Sequence, residues 1–169
     1  MSLLHPSPAV GFDQPFDMLE ACHERVERSL NLLLRLAEHL GKVGPDGQAR
    51  AAAGDLLRYF DIAAPQHHED EERHVLPRLR SLSKGELAER IAAEHRLMHE
   101  RYQAIRPGLL ALRDLGLPPD CGAWSAFATL YREHIALEEG DAYPASRQGL
   151  SNEQLSAMGD EMAARRRQR

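Results

Sequence analysis

The sequence predicts an all-α protein: an antiparallel up-down four-helix bundle with a short C-terminal fifth helix. Apolar residues recur at steps of three and four along five segments, the period of a helix with one buried face. No segment alternates with period two over a useful length. The breaks between segments are short and hold glycine, proline or a capping residue, which makes neighbouring helices antiparallel. A chain of 169 residues is long enough for one domain with its own core. The expected divisions are an irregular lead-in at 1–15, the bundle at 16–145, and a short helix with a basic tail at 146–169.

Pro6, Pro8 and Pro15 mark the lead-in as irregular. The first helix carries Leu19, His23, Val26, Leu30, Leu33, Ala37 and Leu40 on one face, in steps of four and three. Gly41, Gly44 and Pro45 stop it. The second places Ala53, Leu56, Phe60 and Ala63 in its stripe and continues it with His67 and Glu71. Pro65 removes one backbone donor and should bend this helix just before the histidines. Ser83 and Glu86 read as a capping box for the third helix, whose stripe is Leu87, Ile91, His95, Met98, Tyr102, Ile105, Leu109 and Leu112, with a kink expected at Pro107. After GLPPDCG the fourth helix presents Trp124, Phe127, Tyr131, His134 and Glu138, and Pro144 ends it. Ser151 and Gln154 cap the fifth, with Leu155, Met158 and Met162 inward.

The net charge of −5 gives no footing for nucleic acid or an anionic membrane. The one basic run, RRRQR at 165–169, reads as a solvated tail. No apolar run is long enough to span a bilayer and no signal pattern opens the chain. Together with only two cysteines, Cys22 and Cys121, this predicts a cytoplasmic protein, a monomer or homodimer, in which both thiols are small buried groups.

Histidine is the unusual residue, with nine in the chain. Each bundle helix has one on its core stripe, with a polar partner four residues on: His23 with Glu27, His67 with Glu71, His95 with His99, His134 with Glu138. Residues i and i+4 stack on a helix, so both side chains can turn toward one ion or toward two ions side by side. An internal repeat supports the pattern, since HHEDEERHVLP at 67–77 matches HIALEEGDAYP at 134–144. Spacing alone also allows His68 with Glu72, and alignment on the two prolines favours His67 with Glu71. Glu69, Asp70 and Glu72 read as a solvated face, and His5, His39 and His74 need no function.

Four histidines and two carboxylates in a bundle core are costly to desolvate unless a cation offsets the cost. Imidazole and carboxylate without thiolate suit iron, manganese or zinc. The candidates are His23, His67, Glu71, His95, His99, His134 and Glu138, more than one ion needs, so two ions are inferred. If Glu71 and Glu138 each bridge the pair, and an oxide or hydroxide bridges it too, about one of roughly twelve octahedral positions stays vacant. Dioxygen, peroxide or nitric oxide would bind there.

In this arrangement the chain resembles the bacterial hemerythrin-like proteins of the HHE cation-binding type. The resemblance covers roughly residues 16–145. Lone His23, His67-x-x-x-Glu71, Glu94-His95-x-x-x-His99 and His134-x-x-x-Glu138, in that order and with both prolines, carry it. It implies two non-haem iron ions with an oxo or hydroxo bridge in a four-helix bundle. His23 and His67 would hold one iron and His95, His99 and His134 the other, with Glu71 and Glu138 bridging. His68 and Glu27 stand as alternatives to His99. The oxygen carriers of the family end in an aspartate five residues after the last histidine. Here that position is Glu139 and Glu138 fits the HHE form, a departure from simple reversible oxygen carriage.

The expected function is binding or sensing of dioxygen or a related diatomic or peroxide, or iron handling. The site would be kept dry by Trp124, Phe127, Leu30, Phe60 and Ile91. The alternative is a di-iron enzyme, an oxidase or a peroxide or nitric oxide reductase, with Tyr59, Tyr102 and Tyr131 as candidate proton sources. A ferritin-like carboxylate protein ranks lower: Glu20-x-x-His23 and Glu71-x-x-His74 have its spacing, but His95 and His134 go unexplained.

Overall fold

Pro15 opens α1 (Pro15–Lys42) at a position where its missing N–H has no partner to lose. The helix therefore takes in the last residue of the expected lead-in. The computed structural model describes residues 10–168; His5, Pro6 and Pro8 lie outside them. Gly41 stays helical, and Gly44, at φ +93°, makes the turn. Asp46 caps α2 (Gly47–Arg58) by accepting the Ala49 N–H. Then follow α3 (Ala64–Ser81), α4 (Gly85–Leu115), α5 (Trp124–Leu137), α6 (Tyr143–Arg147) and α7 (Asn152–Arg167), with no strand among the described residues.

Two π turns interrupt this series, Tyr59–Ala63 between α2 and α3 and Glu138–Ala142 between α5 and α6. Each closes immediately before a proline: the Ala64 N–H reaches the Tyr59 carbonyl and the Tyr143 N–H reaches that of Glu138. A proline lacks a donor and its ring crowds the carbonyl four residues back. Widening the turn by one residue relieves the clash without ending the helix. The bend expected at Pro65 is thus a π turn, and α2 and α3 act as one rod. Pro144 does not end the fourth helix; the same device carries the chain on to Arg147.

Other local expectations change as well. Ser83 and Glu86 form no capping box, since α4 has no side-chain cap. Ser83 instead lies at φ 59°. There its N–H bonds Arg80 and that of Lys84 bonds the Leu79 carbonyl, closing α3 with the paired bonds usually seen around a glycine. Pro107 is accommodated inside α4, which runs on to Leu115 and stops at Gly116. Ser151 and Gln154 do form their capping box, on a helix of 16 residues rather than a short one.

The core has two apolar ends. One gathers Val26 to Leu36 of α1, α2, the second half of α4 and the start of α5, around Trp124, Phe127 and Phe60. The other gathers the start of α1, the end of α3, the start of α4, Tyr143 of α6, and Met158 and Met162 of α7. The start of α1 thus shares an end with the α3–α4 turn, and its finish shares the other end with α2. This is the up-down order. Between the ends lies a layer of His23, His67, Glu71, His95, His134 and Glu138, all buried.

The first two arginines of the basic run do not trail into solvent, whereas Arg167 and Gln168 are exposed. Arg165 and Arg166 belong to α7 and reach Asp70 at 2.5 and 2.7 Å, Arg166 with two nitrogens. Asp70, assigned to a solvated face by the sequence, is fully buried beneath them. Removing Asp70 takes the counter-charge from Arg166 and leaves Arg165 to Glu161 and Glu69. Breaking a buried ion pair on one side typically costs about 3 kcal/mol. Asp70→Ala should lower unfolding stability in urea by about that amount, and deletion of 165–169 by a similar amount. Combining the two should cost little more than either alone, because they remove opposite halves of one interaction.

Candidate metal centre

Helix geometry explains how the polar layer assembles. His23 lies on α1 between Leu19 and Val26, and His95 on α4 between Ile91 and Met98, each in a position otherwise apolar. On α3, His67 and His68 are consecutive and diverge by about 100° around the axis. They flank the inward direction, and Glu71, one turn on, lies below it. On α5, His134 and Glu138 stack at i and i+4.

The ring nitrogens divide by role. The Nε2 atoms converge on two buried carboxylates. His67 Nε2 is 3.2 Å from Glu71 and His23 Nε2 3.1 Å from Glu138. His95 Nε2 is 3.3 Å from Glu71 and 3.5 Å from Glu138, and His134 Nε2 is 2.9 Å from Glu138. The Nδ1 atoms point outward to other carboxylates: His23 to Glu139 at 2.8 Å, His95 to Glu72 at 3.0 Å, His134 to Glu94 at 2.7 Å. A carboxylate on Nδ1 fixes the tautomer and ring direction and makes the inward nitrogen a better donor to a cation. Of these four rings, His67 lacks this support. Its Nδ1 is buried without a partner, beside a cavity of about 40 Å³ lined by Cys22, Tyr59, Gln66 and Arg166, large enough for a water molecule.

Two groups of donors result, with all ligand atoms in each lying within 4.8 Å of one another. The first is His23, His67, Glu71 and Glu138; the second is His68, Glu71, His95 and His134. Glu71 belongs to both. Glu71 Oε2, Glu138 Oε1, His95 Nε2 and His134 Nε2 are buried without a hydrogen bond. Although His134 Nε2 and Glu138 Oε1 are 2.9 Å apart, their directions do not form one. Buried polar atoms are rarely left unpaired, and here four of them face one another. A cation among them would satisfy all four, so the residues present fit a metal centre.

The electrostatics agree. Burial alone would pull His23 and His95 down. Contact with Glu138 and Glu71, joined by Glu139 for His23 and Glu72 for His95, outweighs it and raises them to about 9 and about 11. For Glu138, burial works against the charged form, and His134, His23 and His95 overcome it and hold the carboxylate well below its usual range. Burial lowers His67, and it drives His68 well below the ordinary histidine value, helped by the neighbouring His95. The raised values favour protonated His23 and His95, and metal binding displaces such protons.

The placement of the expected ligands is uneven. His23, His67, Glu71, His95, His134 and Glu138 come together. His99 does not: it is exposed, one helical turn beyond His95, and belongs to neither group. His68 takes its place, its ring stacked on His95 at 4.2 Å. The other alternative, Glu27, is turned to Arg132 and Asn31. Glu72 is not merely part of a solvated face, since it orients His95. Of the histidines that needed no function, His74 pairs with Glu161 and His39 with Asp46.

Tyr143 was overlooked by the sequence reading. Its hydroxyl bonds Glu71 and lies 3.1 Å from His23 Nε2, and its ring stacks on His23. The signal is its position five residues after Glu138. That spacing faces the same way only when the turn between them is a π turn. By contrast, Tyr102 is engaged with Asp61. A cleft of about 310 Å³, walled by Phe60, Met98, Tyr102 and Tyr131, reaches His68 and His95 from the surface.

The family described as the hemerythrin HHE cation binding domain matches residues 14–146. A protein of Haemophilus influenzae described as uncharacterised is 32% identical over 169 residues, with 98% of each chain covered. If the two groups hold metal, His68→Ala and His67→Ala should each lower the metal bound per chain, whereas His99→Ala and His74→Ala should leave it unchanged. Elemental analysis of the four purified variants checks this. Equal loss from His68→Ala and His99→Ala would reject the grouping.

Proposed function

The chain belongs to the hemerythrin HHE cation-binding family, and from that premise we propose that it is a non-haem di-iron protein that binds dioxygen or a related small molecule. The observation that carries this reading is the pair of donor groups sharing Glu71 in a buried layer. His23, His67, Glu71 and Glu138 would hold one ion. His68, His95 and His134 would hold the other, with both carboxylates between them. When bound, a pair of iron ions supplies two-electron chemistry toward small oxidants.

The protein's own residues supply the rest. Glu139, Glu72 and Glu94 hold the imidazoles in register. The apolar ends close the layer off along the bundle axis, and limiting water there strengthens the charge interactions inside it. Phe60, Met98 and Tyr131 make the inner wall of the cleft apolar, which suits entry of a small neutral molecule. The cleft also supports the enzymatic reading. It is far larger than a diatomic needs, and Glu69, Glu72 and His99 line it with groups able to carry protons.

Protein expressed with iron should hold about two ions per chain; one zinc per chain, or no metal, would sink the reading. Chelation should lower the melting temperature, because a ligand of the folded state alone adds stability. Stopped-flow spectra of the reduced protein mixed with air separate the two functions. A binding protein should give a coloured adduct that lasts many seconds and disappears when oxygen is removed. Immediate oxidation with turnover under a reductant would favour the enzyme.

A further inference from the structure

The two donor groups are unequal. Glu138 Oε1 lies 2.9 Å from His134 Nε2 and 3.5 Å from His95 Nε2, so Glu138 as well as Glu71 serves the second position. That position then has five protein donors: His68, His95, His134, Glu71 and Glu138. The first has four: His23, His67, Glu71 and Glu138. An octahedral ion sharing one oxygen bridge takes about five. The first position is therefore one donor short, and a hard oxygen donor would complete it.

Tyr143 stands at that place. Its ring is buried, stacked on His23 at 5.4 Å with 11° between the planes, and held edge-on by Phe16. Its hydroxyl lies among the atoms of the first group, bonded to Glu71 Oε1 and 3.1 Å from His23 Nε2. Among the described residues no other tyrosine hydroxyl is hydrogen-bonded to a member of the cluster. The π turn at Glu138–Ala142 puts it there, since five residues separate Glu138 from Tyr143 and an ordinary α turn would aim Tyr143 elsewhere.

We propose that Tyr143 is a ligand of the first metal position, its phenolate oxygen completing the set of His23, His67, Glu71 and Glu138. This rests on the di-iron reading above. The chemistry is a ligand exchange with no change of oxidation state: the O–H bond breaks, the proton leaves to water, and the oxygen–iron bond forms. The phenolate then fills the place a small external ligand would take at that ion. By the same count the second position is also full, so an external ligand there must displace a donor or the bridge; the cleft reaches that position beside His68 and His95.

The test uses the full chain, loaded with iron and oxidised. A phenolate on ferric iron gives a visible charge-transfer band and ring vibrations enhanced in resonance Raman. Both should appear in the wild type, vanish in Tyr143→Phe, and persist in Tyr131→Phe. Phenylalanine keeps the stacked ring, so the fold should survive, and the wild-type spectrum is decisive by itself. Azide is the probe for the opened position, and Tyr143→Phe should bind it roughly tenfold more tightly than the wild type. Iron at about two per chain without phenolate bands, or bands that survive Tyr143→Phe, would overturn the ligand assignment and leave the di-iron reading standing. A wild type that holds no iron would overturn both.

Discussion

Two carboxylates, Glu71 at 0% and Glu138 at 1% exposure, sit in the middle of a helical bundle. Moving an ionised carboxylate out of water costs several kcal/mol even after the protein relaxes. Everything around the layer answers that cost. Imidazole nitrogens from four helices face the two groups, and an outer set of carboxylates holds three of the rings in place. Without a cation the layer keeps four inward-facing buried polar atoms unpaired, beside His67 Nδ1 on its outer side. It is assembled around a charge the chain does not itself contain.

The sign of that missing charge is set by the residues. Protons on His23 and His95 balance the carboxylates in part, but a proton reaches one lone pair at a time. A divalent or trivalent ion engages several donors at once and so can use what protons leave over. Glu71 belongs to both donor groups, so the two groups adjoin within one buried layer.

Prolines supply an unexpected part of the construction. Pro65 and Pro144 each follow a π turn, one ahead of the histidine pair of α3 and one just after Glu138. Each turn shifts the inward face by one residue. In the first rod Ala64, rather than Ala63, reaches the core; in the second the shift aims Tyr143 at Glu71. The C-terminal helix braces the same region from behind. Arg165 and Arg166 hold Asp70, the neighbour of Glu71, and Met158 and Met162 pack in the apolar end that contains Tyr143. A helix outside the four-helix frame is thus tied to the residue next to the carboxylate that both donor groups share.

The sequence by itself determined the helical class, the order of the four helices, and six of the residues in the polar layer. Each of these follows from a helical period, which is a local property. The position of His23 among leucines and the i, i+4 spacing of His67–Glu71 and His134–Glu138 are visible in one dimension. The choice of His68 over His99 is not. His99 has the correct spacing from His95, but only the crossing of α3 and α4 decides which histidine reaches the second group. The orienting roles of Glu72, Glu94 and Glu139 were likewise hidden, since an acidic residue beside a ligand looks the same whether it faces solvent or a ring nitrogen on another helix. Asp70 and the RRRQR run each read as solvated because their partners are 95 and 96 residues away. Tyr143 was concealed by the assumption of a uniform turn: a π turn adds one residue to the period, and the chain folds that way only where a proline and its packed neighbours make the wider turn the lower-energy choice.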